Sequence, residues 1–357
     1  MFPCDILIGP LSPSVSSLRP PNEVTAQRFM ANLVVGIIDP FHPKILEMIA
    51  SGIPDDWSLS IAADQSAEEK ARALGRADIA FVMAAPMPAS LLREAPKLRF
   101  IQKLGAGVDR IDLDFCAAHD ITVARLQAGN SIPVAEHTLL LMLAACRRLP
   151  YLDRQTRAGG WDKEAARGNS RQIHGRTVGI VGFGAIGKAV ARLLSGFGAE
   201  LLYYDPLRAD PGVERGLGVA YASLDEITAR ADILSLHLPL TKDTAKLFDA
   251  ARIAKLKPGA IFINCARGGL VDEKALHAAL VEGRVYAAGL DAFEAEPPVG
   301  NPLLTLDQTV VTPHVAGGTV DNFAPVLARA IGNARRFLHG QNLPEEDLVP
   351  LPPRTAA

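Results

Sequence analysis

The segment Val178–Leu194 reads VGIVGFGAIGKAVARLL and places three glycines directly between an apolar strand and a helix. Gly182 permits a tight turn, Gly184 lets the backbone approach a pyrophosphate, and Gly187 lets the helix and the strand pack closely. The N-terminus of the following helix would direct its free N–H groups and its positive dipole end at the phosphates. The alternative is a glycine-rich turn that binds nothing. With these flanks the segment predicts a dinucleotide-binding unit.

The next strand indicates which dinucleotide is bound. It ends in Asp205, 18 residues after Gly187. A carboxylate there can accept hydrogen bonds from the ribose hydroxyls, and it would repel a 2′-phosphate. We therefore expect NAD rather than NADP, although the nearby Arg208 is a cation that a 2′-phosphate could meet.

Composition narrows the class of protein. The chain has 357 residues, is 48% hydrophobic and 21% charged, and carries a net charge of −2 without runs of Lys or Arg. This disfavours nucleic acid and anionic membranes as partners. The cysteines are scattered without CxxC pairs, which predicts reduced thiols in a cytoplasmic protein and no metal site. They are Cys4, Cys116, Cys146 and Cys265.

No targeting or membrane segment is expected. The first thirty residues lack a basic region that leads into an apolar one, as a signal peptide would have. The apolar run Thr138–Cys146 is too short to span a bilayer.

Strands and helices alternate along most of the chain. Residues 1–32 are rich in Pro and Ser, which predicts a disordered extension. A first series of apolar strands is NLVVGIID, LSIAAD, IAFVMAA, LRFIQKLGAG and ITVARL. One long helix is predicted from Pro133 to Ala158. A second series is RTVGIVG, ELLYYD, ILSLHLP, AIFINCA, AAGLDAF and TVVTPHV. Two α/β units follow, each a doubly wound parallel sheet.

Polar residues and glycines gather where the second series of strands ends. In an open α/β sheet, ligands bind beyond these carboxyl ends. One of the residues there is Arg267, whose planar guanidinium can grip a planar carboxylate through two parallel hydrogen bonds. The alternative is a structural arginine that pairs with an acidic neighbour.

Six motifs together resemble the D-isomer-specific 2-hydroxyacid dehydrogenases, the group of phosphoglycerate dehydrogenase and glyoxylate/hydroxypyruvate reductase. They are KLGAGVDRIDL, GNSIPVAEHTLLLML, VGFGAIGK, NCARGGLVDE, GLDAFEAEPP and VVTPHVAGGT. The resemblance covers about Leu33 to Leu338. It implies a flavodoxin-like substrate domain at residues 33–131 and 317–340, and a Rossmann NAD-binding domain at 132–316. A C-terminal tail at 341–357, a cleft between the domains and a homodimer are also implied.

The resemblance assigns the catalytic roles to Arg267, Glu296 and His314. Arg267 would orient the carboxylate of a 2-keto acid. Protonated His314 would donate to the carbonyl oxygen while hydride attacks the carbonyl carbon. Glu296 would orient the imidazole and favour its charged form.

Contacts with the two small molecules are implied as well. The NAD contacts are expected at Gly182, Gly184, Ala185, Ile186, Gly187, Asp205, His237, Pro239, Thr241, Cys265, Ala266, Arg267, Asp291, His314, Ala316 and Gly317. The substrate would meet Gly105, Ala106 and Gly107, whose N–H groups face its carboxylate, together with Arg267 and His314. Asp291 would contact the nicotinamide carboxamide or hold a turn, Thr241 would bind or cap a turn, and Cys265 is interpreted as packing.

The choice of substrate stays open between related activities. The stretch FVMAAPMP offers no cation for a phosphate, and no regulatory domain is expected after the last helix. We therefore expect glyoxylate or hydroxypyruvate rather than phosphoglycerate. The alternatives are phosphoglycerate dehydrogenase activity and a corepressor-like protein that senses NAD without turnover. Glu296 disfavours formate dehydrogenase, because that branch has glutamine beside its histidine.

Overall fold

The computed structural model describes residues 32–353. Apart from Asn32, the predicted extension at residues 1–32 lies outside the described residues, and so does Cys4. Cys116, Cys146 and Cys265 are free and buried.

Two parallel sheets organise the described residues. The first sheet contains β1 Leu33–Ile37, β2 Trp57–Ile61, β3 Ile79–Val82, β4 Phe100–Lys103 and β5 Thr122–Ala124, in the order β2-β1-β3-β4-β5. The second contains β6 Thr177–Val181, β7 Glu200–Tyr204, β8 Val219–Tyr221, β9 Ile233–Leu236, β10 Ala260–Asn264, β11 Val285–Leu290 and β12 Thr309–Val311. Its order is β8-β7-β6-β9-β10-β11-β12. These are the flavodoxin-like and Rossmann orders, so the predicted fold class is confirmed.

Helices connect the parallel strands and cover both sheets. They are α1 Pro43–Gly52, α2 Ala67–Gly75, α3 Ala89–Leu92, α4 Leu113–Ala118, α5 Ser131–Arg147, α6 Leu149–Arg157, α7 Lys163–Gly168, α8 Ala185–Leu194, α9 Pro211–Leu217, α10 Leu224–Arg230, α11 Ala250–Ile253, α12 Glu273–Val281 and α13 Val320–Leu338. Several begin at a side-chain cap: Ser66, Asp112 and Thr319 each accept a hydrogen bond from the N–H three residues later. Within the described residues, no helix is long and apolar enough to cross a membrane.

The chain returns to the first sheet after completing the second. Helix α13 buries Phe323, Leu327 and Ala330 against the first sheet, and Phe337 stacks on Phe100 with ring centroids 4.8 Å apart. The two sheets are thus linked by two crossings of the chain. Polar contacts at their facing edges are therefore made between residues far apart in sequence.

Two elements differ from the sequence prediction. The predicted single helix from Pro133 to Ala158 is wrong, because Arg148 adopts a left-handed conformation (φ 50°, ψ 42°) between α5 and α6. Pro150 follows in the first turn of α6, where its missing N–H is tolerated, although it would break a continuous helix. Strand β8 was not predicted: it has three residues, and only Val219 is buried.

The C-terminal segment packs on the first sheet. Val349 donates its N–H to the carbonyl of Val123 at 3.0 Å. The fully buried Asp347 accepts hydrogen bonds from Arg329 at 2.5 and 2.9 Å and from Asn333 at 3.0 Å. Part of the predicted tail at 341–357 is therefore docked on the edge strand β5 and on α13.

Candidate active site

In the turn after β6, packing within the protein requires glycine at two of the three positions. Gly182 has φ +98°, and a Cβ on it would lie 2.6 Å from the backbone carbon of His237. A Cβ on Gly187 would lie 2.2 Å from the carbonyl oxygen of Gly182. Side chains at these two positions would push α8 away from the sheet.

Gly184 differs because a Cβ there would meet nothing within 4 Å. Helix α8 begins at the next residue, Ala185, and no side chain caps its N-terminus. Gly184 and Ala185 are exposed, and Ile186 is half-buried. Open space beside uncapped helix N–H groups fits a pyrophosphate.

Asp205 lies beside this turn. Its Oδ2 accepts the N–H of Phe183 at 2.7 Å, and its Oδ1 accepts the N–H of Leu207 at 2.9 Å. Each carboxylate oxygen has a second lone pair, which leaves capacity for the ribose hydroxyls.

Arg208, the cation close to Asp205 in sequence, binds an acidic side chain. Its Nε and Nη2 donate to the two carboxylate oxygens of Glu214 at 2.9 and 3.1 Å. These bonds, together with one from the hydroxyl of Tyr203, lower the pKa of Glu214 to about 2. The contact holds Arg208 on Glu214, which supports the preference for NAD.

Two side chains of the loop after β9 contact neighbouring side chains of the protein. The Nε2 of His237 lies 2.9 Å from the hydroxyl of Ser235, and burial lowers the pKa of His237 to about 3, so the ring is neutral. Pro239 is exposed, and the hydroxyls of Thr241 and Thr244 lie 3.1 Å apart within the turn. Thr241 therefore takes part in the turn.

Buried groups line the end of β10. Burial raises the pKa of the Cys265 thiol to about 12, which suits packing and not nucleophilic chemistry. The next residue, Ala266, donates its N–H to the side chain of Asn264 at 3.0 Å.

Asp291 holds the loop that carries His314. It is 1% exposed. Its Oδ1 accepts the hydroxyl of Thr312 at 2.6 Å and the N–H of Val315 at 2.9 Å, and its Oδ2 accepts the N–H of Ala316 at 2.9 Å. The structure thus uses this carboxylate to hold a turn. Its contact with the nicotinamide carboxamide stays a prediction.

His314 lies between these anchored backbone groups in a left-handed conformation, φ +53°. Its Nδ1 is 2.8 Å from Oε1 of Glu296, and its side chain is 42% exposed. Among residues 32–353, its Nε2 has no hydrogen-bond partner. Gly317 follows, packed against the side chain of Asn130.

Glu296 is ionised in this setting. Burial raises its pKa, but the hydrogen bond and charge of His314, the N–H of Phe293 and the charge of Arg110 outweigh burial. The pKa of Glu296 therefore lies below the usual glutamate value. A charged carboxylate bound at Nδ1 fixes the tautomer and the orientation of the ring.

Arg267 lies opposite the loop that follows β4. Its Nε donates to Asp109 at 3.2 Å, and its Nη1 donates to the carbonyl of Ala266 at 2.8 Å. A Cβ on Gly107 would lie 1.7 Å from Nη2 of Arg267, so only glycine allows this approach. Gly105 is buried and Ala106 half-buried just before it. The structure therefore brings together the residues predicted to bind a carboxylate.

Lys103 was missed by the sequence reasoning. It ends β4, and its ammonium group donates to the carbonyl of Met83, directly after β3. Burial is the main cause that lowers its pKa to about 8. The stretch FVMAAPMP has no cation of its own, but the neighbouring strand brings one to it. A charged residue at the end of an apolar strand was the available signal.

The roles of Asp109 and Arg110 were also not predicted, although both residues lie within the motif KLGAGVDRIDL. Arg110 donates from Nη2 to Oε2 of Glu296 at 2.7 Å. Both residues bind side chains in loops of the second sheet, Arg267 and Glu296. The sequence around Asp109 and Arg110 does not indicate these long-range contacts. Within the described residues, no cluster of His, Cys, Asp and Glu has the make-up of a metal site.

Comparison with known proteins identifies the family of this chain. Residues 139–316 match the model of the D-isomer specific 2-hydroxyacid dehydrogenase, NAD binding domain. D-3-phosphoglycerate dehydrogenase of Mycobacterium tuberculosis is 38% identical, over 87% of this chain and 58% of its own length. The chain thus spans little more than half the length of that relative.

Two further proteins are similar over nearly their whole length. Hydroxypyruvate reductase of Thermotoga maritima is 34% identical, over 82% of this chain and 94% of its own. The structure of NAD-dependent formate dehydrogenase from Staphylococcus aureus, in complex with NAD, superposes with a TM-score of 0.78 at 25% identity, covering 89% of this chain and 98% of that one. The chain therefore belongs to the D-isomer specific 2-hydroxyacid dehydrogenase family and carries its NAD-binding domain.

Proposed function

We propose that this protein interconverts a D-2-hydroxy acid and its 2-keto acid, with NAD as the hydride carrier. One observation carries the proposal. His314 and Glu296 form a 2.8 Å pair at the carboxyl edge of the second sheet, and Nε2 of the histidine is left for a substrate. Arg267, at the same edge, lies against Gly107 in the loop after β4 of the first sheet.

In the reductive direction the residues would act in sequence. Arg267 and the N–H groups of Gly105–Gly107 hold the substrate carboxylate, which fixes the position of the carbonyl. NADH, when bound, would supply the hydride for the carbonyl carbon. Protonated His314 gives its Nε2 proton to the carbonyl oxygen, so the product is a hydroxyl group. In the oxidative direction neutral His314 removes that proton.

Glu296 would support both directions. Its carboxylate is bound to Nδ1, which directs Nε2 outward. It also stabilises the imidazolium that exists before proton donation in reduction and after proton removal in oxidation. We assign residues 33–131 and 317–340 to substrate binding and residues 132–316 to NAD binding.

The preferred substrate is a small 2-keto acid such as glyoxylate or hydroxypyruvate. The loop after β3 supplies no arginine, and the hydroxypyruvate reductase relative supports this class. One observation favours a second candidate, 3-phosphohydroxypyruvate: the ammonium group of Lys103 lies at the end of β3, where an anionic tail of the substrate would reach.

A turnover assay tests the proposal. Oxidation of NADH would be followed with glyoxylate, hydroxypyruvate and 3-phosphohydroxypyruvate, and NADPH would be compared at equal concentration. We expect turnover with NADH, lowered about 10²- to 10⁴-fold by His314→Ala. Arg267→Lys should also lose most of the turnover, because a lysine ammonium cannot form the two parallel hydrogen bonds that a guanidinium makes to a carboxylate. NADH binding without turnover of any 2-keto acid would instead favour the corepressor-like function.

A homodimer is proposed as the working form. Large apolar side chains are exposed along α5 and at the start of α6, namely Ile132, Leu140, Leu143 and Leu149. Such a stripe is typical of an interface. Light scattering of the purified protein would test it, and a monomeric mass would contradict it.

A further inference from the structure

Two consecutive residues of the first sheet contact charged residues of the second. In the loop after β4, Asp109 accepts a hydrogen bond from Arg267 at 3.2 Å, and Arg110 donates to Glu296 at 2.7 Å. Arg110 also donates from Nη1 to the carbonyl of Ala84 at 3.3 Å. Nη1 thus binds the backbone of the first sheet's loop, while Nη2 binds Glu296 in a loop of the second sheet.

The carboxylate of Glu296 is divided between the two sheets. Its Oε1 faces Nδ1 of His314 at 2.8 Å and the N–H of Phe293 at 3.3 Å, both from the second sheet. Its Oε2 receives only Arg110 among the hydrogen bonds of residues 32–353. Because a carboxylate is planar, a partner that fixes Oε2 also fixes the direction in which Oε1 meets the imidazole.

We propose that Arg110 is a positioning residue: it acts through Glu296 to hold His314 in its working orientation when the two sheets approach. The contact exists only if the loop after β4 lies against the second sheet. Approach of the sheets would therefore bring Arg110 to Oε2 of Glu296 and so fix the orientation of the His314–Glu296 pair. This inference rests on the proposed function, because it requires that pair to be catalytic.

A double-mutant cycle tests whether Arg110 acts through Glu296. The variants are Arg110→Met, Arg110→Lys, Glu296→Gln and the double variant Arg110→Met/Glu296→Gln. Arg76→Met is the matched control, since Arg76 is exposed and follows α2 at the opposite edge of the first sheet. For each, kcat and KM would be measured for a 2-keto acid with saturating NADH, and thermal unfolding would verify folding.

We expect Arg110→Met to lower kcat about 3- to 30-fold, which lies within the range of coupling between residues of one network, and to change KM less than about twofold. Arg110→Lys should restore most of kcat, because an ammonium can bind Oε2. In the Glu296→Gln background, Arg110→Met should have no further effect. Arg76→Met should match the wild type.

Two outcomes would overturn the inference. An equal loss of kcat from Arg110→Met in both backgrounds would mean that Arg110 acts on the substrate directly. A wild-type kcat for Arg110→Met, alongside an impaired Glu296→Gln, would mean that the contact positions nothing. A wild-type kcat and pH profile for Glu296→Gln would contradict the role assigned to Glu296, whereas no turnover of any 2-keto acid by the wild-type protein would contradict the proposed function itself.

Discussion

Replacement of Asp291 by asparagine tests how the structure holds His314. Three hydrogen bonds end on this carboxylate, two at Oδ1 and one at Oδ2. The oxygen of an asparagine can replace Oδ1, but its NH₂ group would then face the N–H of Ala316. A buried N–H would lose its acceptor, and two donors would meet.

The expected loss of stability and of kcat in Asp291→Asn follows from the hydrogen bond that is lost. Loss of one hydrogen bond to a charged group, which leaves a buried N–H unpaired, costs about 2 to 3 kcal/mol. Asp291 is 1% exposed, so solvent does not screen the loss. The left-handed backbone of His314 is itself unfavourable by about 1 to 3 kcal/mol and will relax once an anchor is removed. Displacement of an acid–base group by about 1 Å can lower kcat about 10²-fold.

Urea unfolding and steady-state kinetics measure the two parts of this prediction. We expect Asp291→Asn to lose about 2 to 3 kcal/mol of unfolding free energy and about 10²-fold in kcat. The control, Thr312→Val, removes one hydroxyl donor and leaves both N–H bonds, so it should cost about 1 kcal/mol. Unchanged stability and kcat in Asp291→Asn would refute the reasoning. A rise in the KM for NADH alone would point to the carboxamide contact instead.

Three further predictions concern other charged groups. Glu296→Gln should shift the pH profile of keto-acid reduction to the acid side, because a neutral amide stabilises the imidazolium of His314 less than a carboxylate does; an unshifted profile would contradict the pairing. Lys103, with a pKa lowered to about 8, is charged below that pH and neutral above it. The KM for 3-phosphohydroxypyruvate should therefore rise as the pH passes about 8 in the wild type but not in Lys103→Met, and a flat wild-type profile would remove Lys103 from the substrate site. Asp347→Asn should lower the unfolding free energy by about 1 to 3 kcal/mol, because a neutral amide weakens the charge-assisted hydrogen bonds from Arg329 and Asn333; an unchanged urea midpoint would show that this ion pair adds no stability.

Much of the second sheet's edge could be predicted because its signals are local. Gly182, Asp205 and Asp291 each follow directly after an apolar strand, and Arg267 lies three residues after the end of β10. Parallel strands bring their carboxyl ends to one edge, so the position of each residue in sequence predicts its position in the fold. His314 follows the same rule three residues after β12. The break of the long helix at Arg148 was missed although Pro150, two residues later, was an available signal.

Contacts between the two sheets could not be predicted in this way. Arg110 and Glu296 are 186 residues apart, and their meeting depends on how two separately folded sheets face each other. Lys103 reaches Met83 across neighbouring strands, which requires the order and register of the first sheet. A strand order is not visible in the periodicity of any single strand.

The first sheet also shows why the substrate is harder to predict than the cofactor. The proposed carboxylate site uses the main chain of Gly105–Gly107, and main-chain N–H groups are common to nearly all residue types. The sequence indicates such a site only through the small residues of the loop. Glycine is required at Gly107 because Arg267 lies where a side chain on Gly107 would be. Selectivity for the rest of the substrate would then depend on long side chains such as Lys103, whose charged ends lie far from their own backbone. Such residues become interpretable only when their partners on other strands are known, and the keto-acid panel with Lys103→Met examines that dependence directly.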